Sequence, residues 1–174
     1  MRSIEKQCGF SLIEVIIAVG IFATSIAVIL AMLPGLTRQA ADTTDTFTAQ
    51  RLPDAVQLEL GRLSASGGFD GLRSTIPAMN SSLTDGFVLV ASRDGARLHS
   101  VAYLPPVSTA LIPQGEQYFA VELWQFTSGQ LAHDSNTLLP VFVRVSWPYW
   151  NPGATAVTPL ASRQQLIFTA ALHR

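Results

Sequence analysis

The chain is poor in charge, in cysteine and in lysine, and each shortage excludes a class of protein. Only 13% of its 174 residues are charged, and the formal net charge is −1. The sequence therefore has no concentration of basic residues of the kind that nucleic acid binding requires. Cys8 is the one cysteine and Lys6 the one lysine. The chain therefore has no internal disulfide and no cluster of thiolate metal ligands. A lipoprotein cysteine follows the apolar run, whereas Cys8 precedes it, so Cys8 is not a convincing lipidation site.

Residues that carry catalysis or hold metals are scarce and scattered. The histidines His99, His133 and His173 share no ligand spacing, and we interpret them as surface or strand residues. His133 is followed by Asp134 and Ser135, but three adjacent residues cannot form a catalytic triad. The sequence has no glycine-rich phosphate loop and no nucleophile elbow. It therefore predicts no enzyme, no metal site, no cofactor and no small-molecule substrate.

One apolar run dominates the N-terminus. The 24 residues of Phe10–Leu33 contain a single charged side chain, Glu14. A helix of that length measures about 36 Å, against about 30 Å for the hydrocarbon core of a bilayer. Residues 10–34 are therefore predicted to span a membrane as a helix, which Pro34-Gly35 ends or kinks. A carboxylate inside such a segment is costly, which predicts a specific use for Glu14.

Composition leaves three interpretations of this run. A secretory signal has an apolar region of about 7–15 residues before its cleavage site, whereas this run is longer and Glu14 interrupts it. A plain single-span anchor tolerates Glu14 near the membrane surface. The third interpretation rests on residues 9–15, which read Gly-Phe-Ser-Leu-Ile-Glu-Val. This stretch resembles the processing motif of type IV prepilins and type II secretion pseudopilins.

The resemblance implies a processing reaction and a set of partners. A membrane-embedded prepilin peptidase would cut between Gly9 and Phe10, release residues 1–9 as a leader, and methylate the new amine of Phe10. Glu14 is then the fifth residue of the mature chain. The partners implied are that peptidase and methyltransferase, other pilin or pseudopilin subunits, and the inner membrane.

The physics of the motif gives Glu14 a role in assembly. The freed amine of Phe10 lies one helical turn from Glu14, on the same face, and the helix dipole favours an acid there. In a bundle, Glu14 can reach the amine of a neighbour. A buried charge pair adds little net stability but is expensive to break from one side, so it would set the register of a filament. Arg2 and Lys6 before the run, against Arg38 after it, favour a cytoplasmic leader and a periplasmic C-terminal domain.

The middle of the chain has a helical part and a loop-like part. Residues 35–63 have apolar positions near helical spacing, which predicts an amphipathic helix. Pro53 either kinks this helix or starts a new one. Residues 64–86 are rich in Ser and Gly, which is typical of a loop.

Residues 87–174 are predicted to form an antiparallel sheet. Arg93-Asp94-Gly95 has the composition of a tight hairpin turn. The fold class expected is α+β, a long N-terminal helix packed on a small antiparallel sheet, as in pilins. Five segments carry the strand pattern: 87–91, 98–103, 118–124, 141–147 and 165–170.

Two further features of the C-terminal half bear on function. The Trp147–Trp150 loop either forms an exposed contact patch or covers the edge of the sheet. The order Arg144 to Pro148, a loop, then Arg163 to Thr169 resembles the final hairpin of minor pilins and the smaller pseudopilins. Residues 32–36, Met-Leu-Pro-Gly-Leu, resemble prepilin-like proteins of the Verru_Chthon cassette, type B. The sequence thus predicts a minor pilin or pseudopilin, with a membrane-anchored periplasmic binding protein as the alternative.

Overall fold

The chain divides into two compact units, Met1–Thr43 and Thr44–Arg174. Helix α1 (Leu12–Gly67) supplies the described part of the first unit and the beginning of the second. The structure, a computed structural model, describes four stretches of the chain: residues 11–100, 112–126, 137–151 and 153–174.

Helix α1 passes through both of its prolines. It is a single assigned helix of 56 residues, so it ends neither at Pro34-Gly35 nor at Pro53, and it extends past the predicted end at residue 63. A proline removes one main-chain donor from a helix, but the neighbouring turns can compensate. Around Pro53 they are held by Leu52 and Val56, both of which are buried.

Residues 64–86 are more ordered than their composition predicts. The first four complete α1, and a second helix, α2 (Phe69–Thr75), follows. Phe69, Leu72 and Ile76 are buried in the core, and Ala78 forms a parallel bridge with Gln125. The difference arises because three apolar side chains at helical spacing outweigh the Ser and Gly residues around them.

The C-terminal unit contains an antiparallel five-stranded sheet, which together with α1 confirms the predicted α+β class. The strand order is β2-β1-β3-β4-β5, and each pairing is antiparallel. The last two strands are longer than predicted because their pairing continues over ten residues. Positions 101–103 of the second predicted strand lie outside the described residues. The strands are β1 (Phe87–Ala91), β2 (Leu98–Ser100), β3 (Phe119–Gln125), β4 (Leu138–Trp147) and β5 (Gln164–His173).

The core of this unit lies between the sheet and the second part of α1. Successive side chains of a strand point to opposite faces, so every second residue of β3 and β4 faces the helix. On α1 the matching stripe recurs every three or four residues, as expected for an amphipathic helix. The helix contributes five buried apolar residues to it: Ala49, Leu52, Val56, Leu60 and Leu63.

Candidate functional site

The beginning of α1 is built by Ser11 and Glu14. The Ser11 hydroxyl accepts a hydrogen bond from the Glu14 N–H at 3.3 Å, and the Ser11 carbonyl accepts from the same N–H at 3.1 Å and from the Val15 N–H at 3.3 Å. Ser11 therefore caps the first turn. The spacing Ser11-x-x-Glu14 is that of a capping box, a local signal that is present in the sequence itself. Glu14 thus lies in the first turn, where the helix dipole favours a carboxylate.

The part of α1 that follows Glu14 presents apolar side chains on all sides. Each of residues 11–40 is exposed, including Leu12 at 80% and Phe22 at 67%. An 18-residue window of α1 reaches a mean hydropathy of 2.7, with none of it buried. By length and composition α1 can cross a membrane. Glu14 is the only acid in the described part of the predicted span, Phe10–Leu33. The predicted cleavage residues, Gly9 and Phe10, lie outside the described residues.

A buried carboxylate fixes the second part of α1 to the sheet domain. Asp45 is 4% exposed. Its two oxygens accept hydrogen bonds from the Nε and Nη2 of Arg93 at 2.9 and 3.0 Å, and from the Tyr118 hydroxyl at 2.6 Å. The Arg93 guanidinium also lies over the Tyr118 ring, 4.9 Å from its centre. This cluster positions the helix against the β1–β2 turn and the start of β3, and is structural in character.

A charged surface depression of about 410 Å³ lies beside that turn. Glu116 pairs with Arg97 at 2.8 Å, and its other oxygen lies 2.6 Å from Nε2 of His99. The pKa of Asp94 is held below its ordinary value, chiefly by the hydrogen bond from the Ser92 hydroxyl at 2.5 Å. Because these charges oppose one another, the depression shows no excess of either sign.

The two histidines that the structure describes, His99 and His173, do not come together in a site. His99 lies on β2 and is half-buried, whereas His173 is exposed at the end of β5, and His133 lies outside the described residues. In the part of the chain that the structure describes, no group of three or more His, Cys, Asp or Glu side chains could hold a metal ion.

The Trp147–Trp150 loop packs on the domain. Trp147 is 4% exposed and belongs to the core, with its ring 5.8 Å from that of Phe119. The Trp150 indole N–H donates to the Ala154 carbonyl at 3.3 Å. The Arg163 guanidinium lies 4.8 Å from the centre of the Tyr149 ring. Of the two interpretations of this loop, these contacts favour the one in which its rings cover the sheet.

Comparison with known proteins supports the interpretation of the N-terminus. Residues 5–30 match the family model of the prokaryotic N-terminal methylation motif, which is consistent with a type IV prepilin-like protein and confirms the resemblance. The match includes Gly9, Phe10 and Glu14. No curated protein and no solved structure matches the chain significantly. The likeness to the Verru_Chthon cassette, type B, stays a prediction.

Proposed function

We propose that this chain, which carries the prepilin methylation motif, is the membrane-anchored precursor of a minor pilin or pseudopilin. In this proposal prepilin peptidase cuts it between Gly9 and Phe10 and the Phe10 amine is methylated. The mature chain is then built into a type IV pilus-like or type II secretion filament. The observation that carries the proposal is the motif match over residues 5–30 at the head of a helix whose first part, residues 11–40, is largely apolar and exposed.

The sequence spacing of Phe10 and Glu14 supports a role for cleavage in assembly. Phe10 and Glu14 are four residues apart in the sequence, a spacing that in a helix would put a new amine at Phe10 on the face of the Glu14 carboxylate. A lone subunit can satisfy that carboxylate at the membrane surface. Inside a bundle of apolar helices, an unpaired carboxylate is costly, and an amine of a neighbouring subunit relieves the cost. Packing arrangements that leave Glu14 unpaired are thereby penalised.

The rest of the chain suits a structural subunit. Helix α1 provides one span, and the second unit has a core of its own. We place the precursor in the inner membrane as a single-pass protein with the sheet domain in the periplasm. Its partners are then the peptidase and methyltransferase during processing, and other pilin or pseudopilin subunits afterwards. In this role the chain is a substrate of an enzyme and does no chemistry itself.

Intact mass measurement tests the processing step. We expect the chain, expressed with an active prepilin peptidase, to begin at Phe10 and to carry one additional methyl group. Gly9→Leu places a bulky side chain at the scissile bond and should leave the leader attached. A chain that still begins at Met1 in the presence of active peptidase would contradict the proposal and favour the plain membrane anchor of the alternative function.

Substitution of Glu14 tests the assembly step. Glu14→Gln keeps the size of the side chain and removes its charge, so insertion and cleavage should persist while the amount of subunit in filaments falls about tenfold, equivalent to about 1.4 kcal/mol. Ser11→Ala is the control, because it removes the helix cap and keeps the acid. If Glu14→Gln enters filaments as well as the parent, or if Ser11→Ala fails equally, the register role of Glu14 is wrong.

A further inference from the structure

Strand β5 forms one edge of the sheet. It pairs with β4 on one side, and the strand order places it last. On its other side no strand of the described residues pairs with it. An edge strand presents a row of main-chain N–H and C=O groups to its surroundings, and such a row is a template for another strand.

The edge is long, regular and uncharged. Its ten residues pair with β4 in one continuous register, from Gln164 opposite Trp147 to His173 opposite Leu138, with no bulge. The sequence from Gln164 to Leu172 contains no charged residue, no proline and no glycine. Proteins usually protect a free edge with charges, prolines, bulges or a short strand. The stretch Gln164–Leu172 has none of these devices, and the charges nearest to it along the chain are Arg163 and Arg174.

The described part of the opposite edge of the sheet lies among ionisable side chains. Strand β2 has three described residues, Leu98–Ser100. His99 on it and Arg97 before it are both held by Glu116, at 2.6 and 2.8 Å. Among the described residues, charged side chains therefore lie on and beside β2, whereas the stretch Gln164–Leu172 of β5 is uncharged and has Arg163 and Arg174 only at its two ends.

Uncharged side chains on both faces of β5 are also at least partly exposed. Leu166 and Phe168, on the face toward the core, pack against it and remain half-buried. Ile167, on the other face, is 54% exposed, and Thr169 beside it is also exposed. A strand laid along this edge would cover part of all four side chains, and burial of apolar area is favourable.

We propose that the outer edge of β5 binds an extended, uncharged segment of a partner protein, which continues the sheet as an additional strand. An extended segment is the occupant that can hydrogen-bond to the outer main-chain groups of β5, because its own N–H and C=O groups have the matching spacing. The segment should be uncharged because a charge beside Leu166, Ile167 or Phe168 would lose water without gaining a partner. This inference stands on β5 alone and does not depend on filament assembly.

The test uses the full chain in detergent and a fluorescent ten-residue peptide that alternates valine with threonine. Its fluorescence anisotropy should rise to saturation as the chain is added. Hydrogen exchange should slow in β5 and not in β2. A second peptide, N-methylated at alternate residues, has the same side chains and lacks half of the donors. Its affinity should be weaker by about tenfold or more, and because it is no less apolar, partition into micelles cannot explain that loss.

Two variants of the chain place a charge on the edge. Ile167→Lys and Thr169→Lys change exposed side chains and should each weaken peptide binding about tenfold, whereas the control Gln57→Lys, exposed on α1, should not. The proposal is overturned if binding does not saturate, if N-methylation has no effect, or if protection falls outside β5. It is also overturned if Ile167→Lys dissociates a dimer of the peptide-free chain, because the occupant is then a second copy.

Discussion

Removal of the Asp45 carboxylate should loosen the attachment of α1 to the sheet domain. Three donor groups converge on its two oxygens, two from Arg93 and one from Tyr118, at 2.6–3.0 Å. The Asp45 side chain is only 6% exposed, so water does not readily replace it as the acceptor. Asp45→Ala takes away the acceptor that these groups share, whereas Asp45→Asn keeps the shape and one acceptor oxygen.

The magnitude follows from the burial of the two partners. A hydrogen bond to a charged group contributes about 1.5–3 kcal/mol, and breaking a fully buried ion pair costs about 3–5 kcal/mol. The Arg93 side chain is 55% exposed, so solvent screening reduces the contribution of the Arg93–Asp45 ion pair to the free energy of unfolding. We therefore expect Asp45→Ala to lower the free energy of unfolding by about 2–4 kcal/mol and Asp45→Asn by about half as much.

Tryptophan fluorescence during urea unfolding in detergent measures this effect. All three tryptophans lie in the C-terminal unit, so the signal follows that unit. Asp54→Ala is the matched control, since Asp54 is an exposed acid on the same helix, and it should change stability by less than about 0.5 kcal/mol. A double-mutant cycle with Arg93→Ala should show a coupling of about 1–2 kcal/mol. A loss for Asp45→Ala no larger than that of Asp54→Ala would refute the reasoning.

Two further predictions concern the sheet domain. In the same assay, Gly86→Ala should lower the free energy of unfolding by about 1–3 kcal/mol, because the new Cβ would lie 2.7 Å from Cζ2 of the buried Trp124. The control Gly61→Ala, with open space around it, should leave that free energy unchanged or raise it by up to about 1 kcal/mol. Equal changes for the two variants would contradict this prediction. The pKa of Asp94 is below its ordinary value, so its contribution to stability is complete above the unfolded-state pKa and is lost as the pH falls through the lower folded-state pKa. In Ser92→Ala an NMR titration should show the pKa of Asp94 moving up toward the ordinary value, and an unchanged pKa would mean that the hydroxyl is not the main cause.

Features carried by contiguous residues could be predicted from the sequence. The motif of residues 9–15 and the apolar run behind it are local, and so is the periodicity of the helix stripe. Strand β1 was predicted with its observed bounds, since its turn signal lies directly beside it in the chain. The α+β class followed from the order of these elements. The helix α2 was missed because composition was given more weight than the spacing of Phe69, Leu72 and Ile76.

Contacts between distant residues could not be predicted in this way. Asp45 and Arg93 are 48 positions apart, and Arg144 donates to the carbonyl of Leu83, 61 positions away, at 3.0 Å. Nothing in the local pattern pairs them, because many polar residues of each type are available along the chain.

The sequence by itself thus determined the character of the N-terminus, since an acid, a cap and a long apolar run act within a few turns of one helix. Only the tertiary structure decided which strand became the outermost strand of the sheet that the described residues form. An edge is defined by the absence of a neighbour, and the position of neighbours depends on how the whole chain packs. The uncharged composition of β5 is visible in the sequence, but it acquires meaning only once β5 is known to lie at that edge.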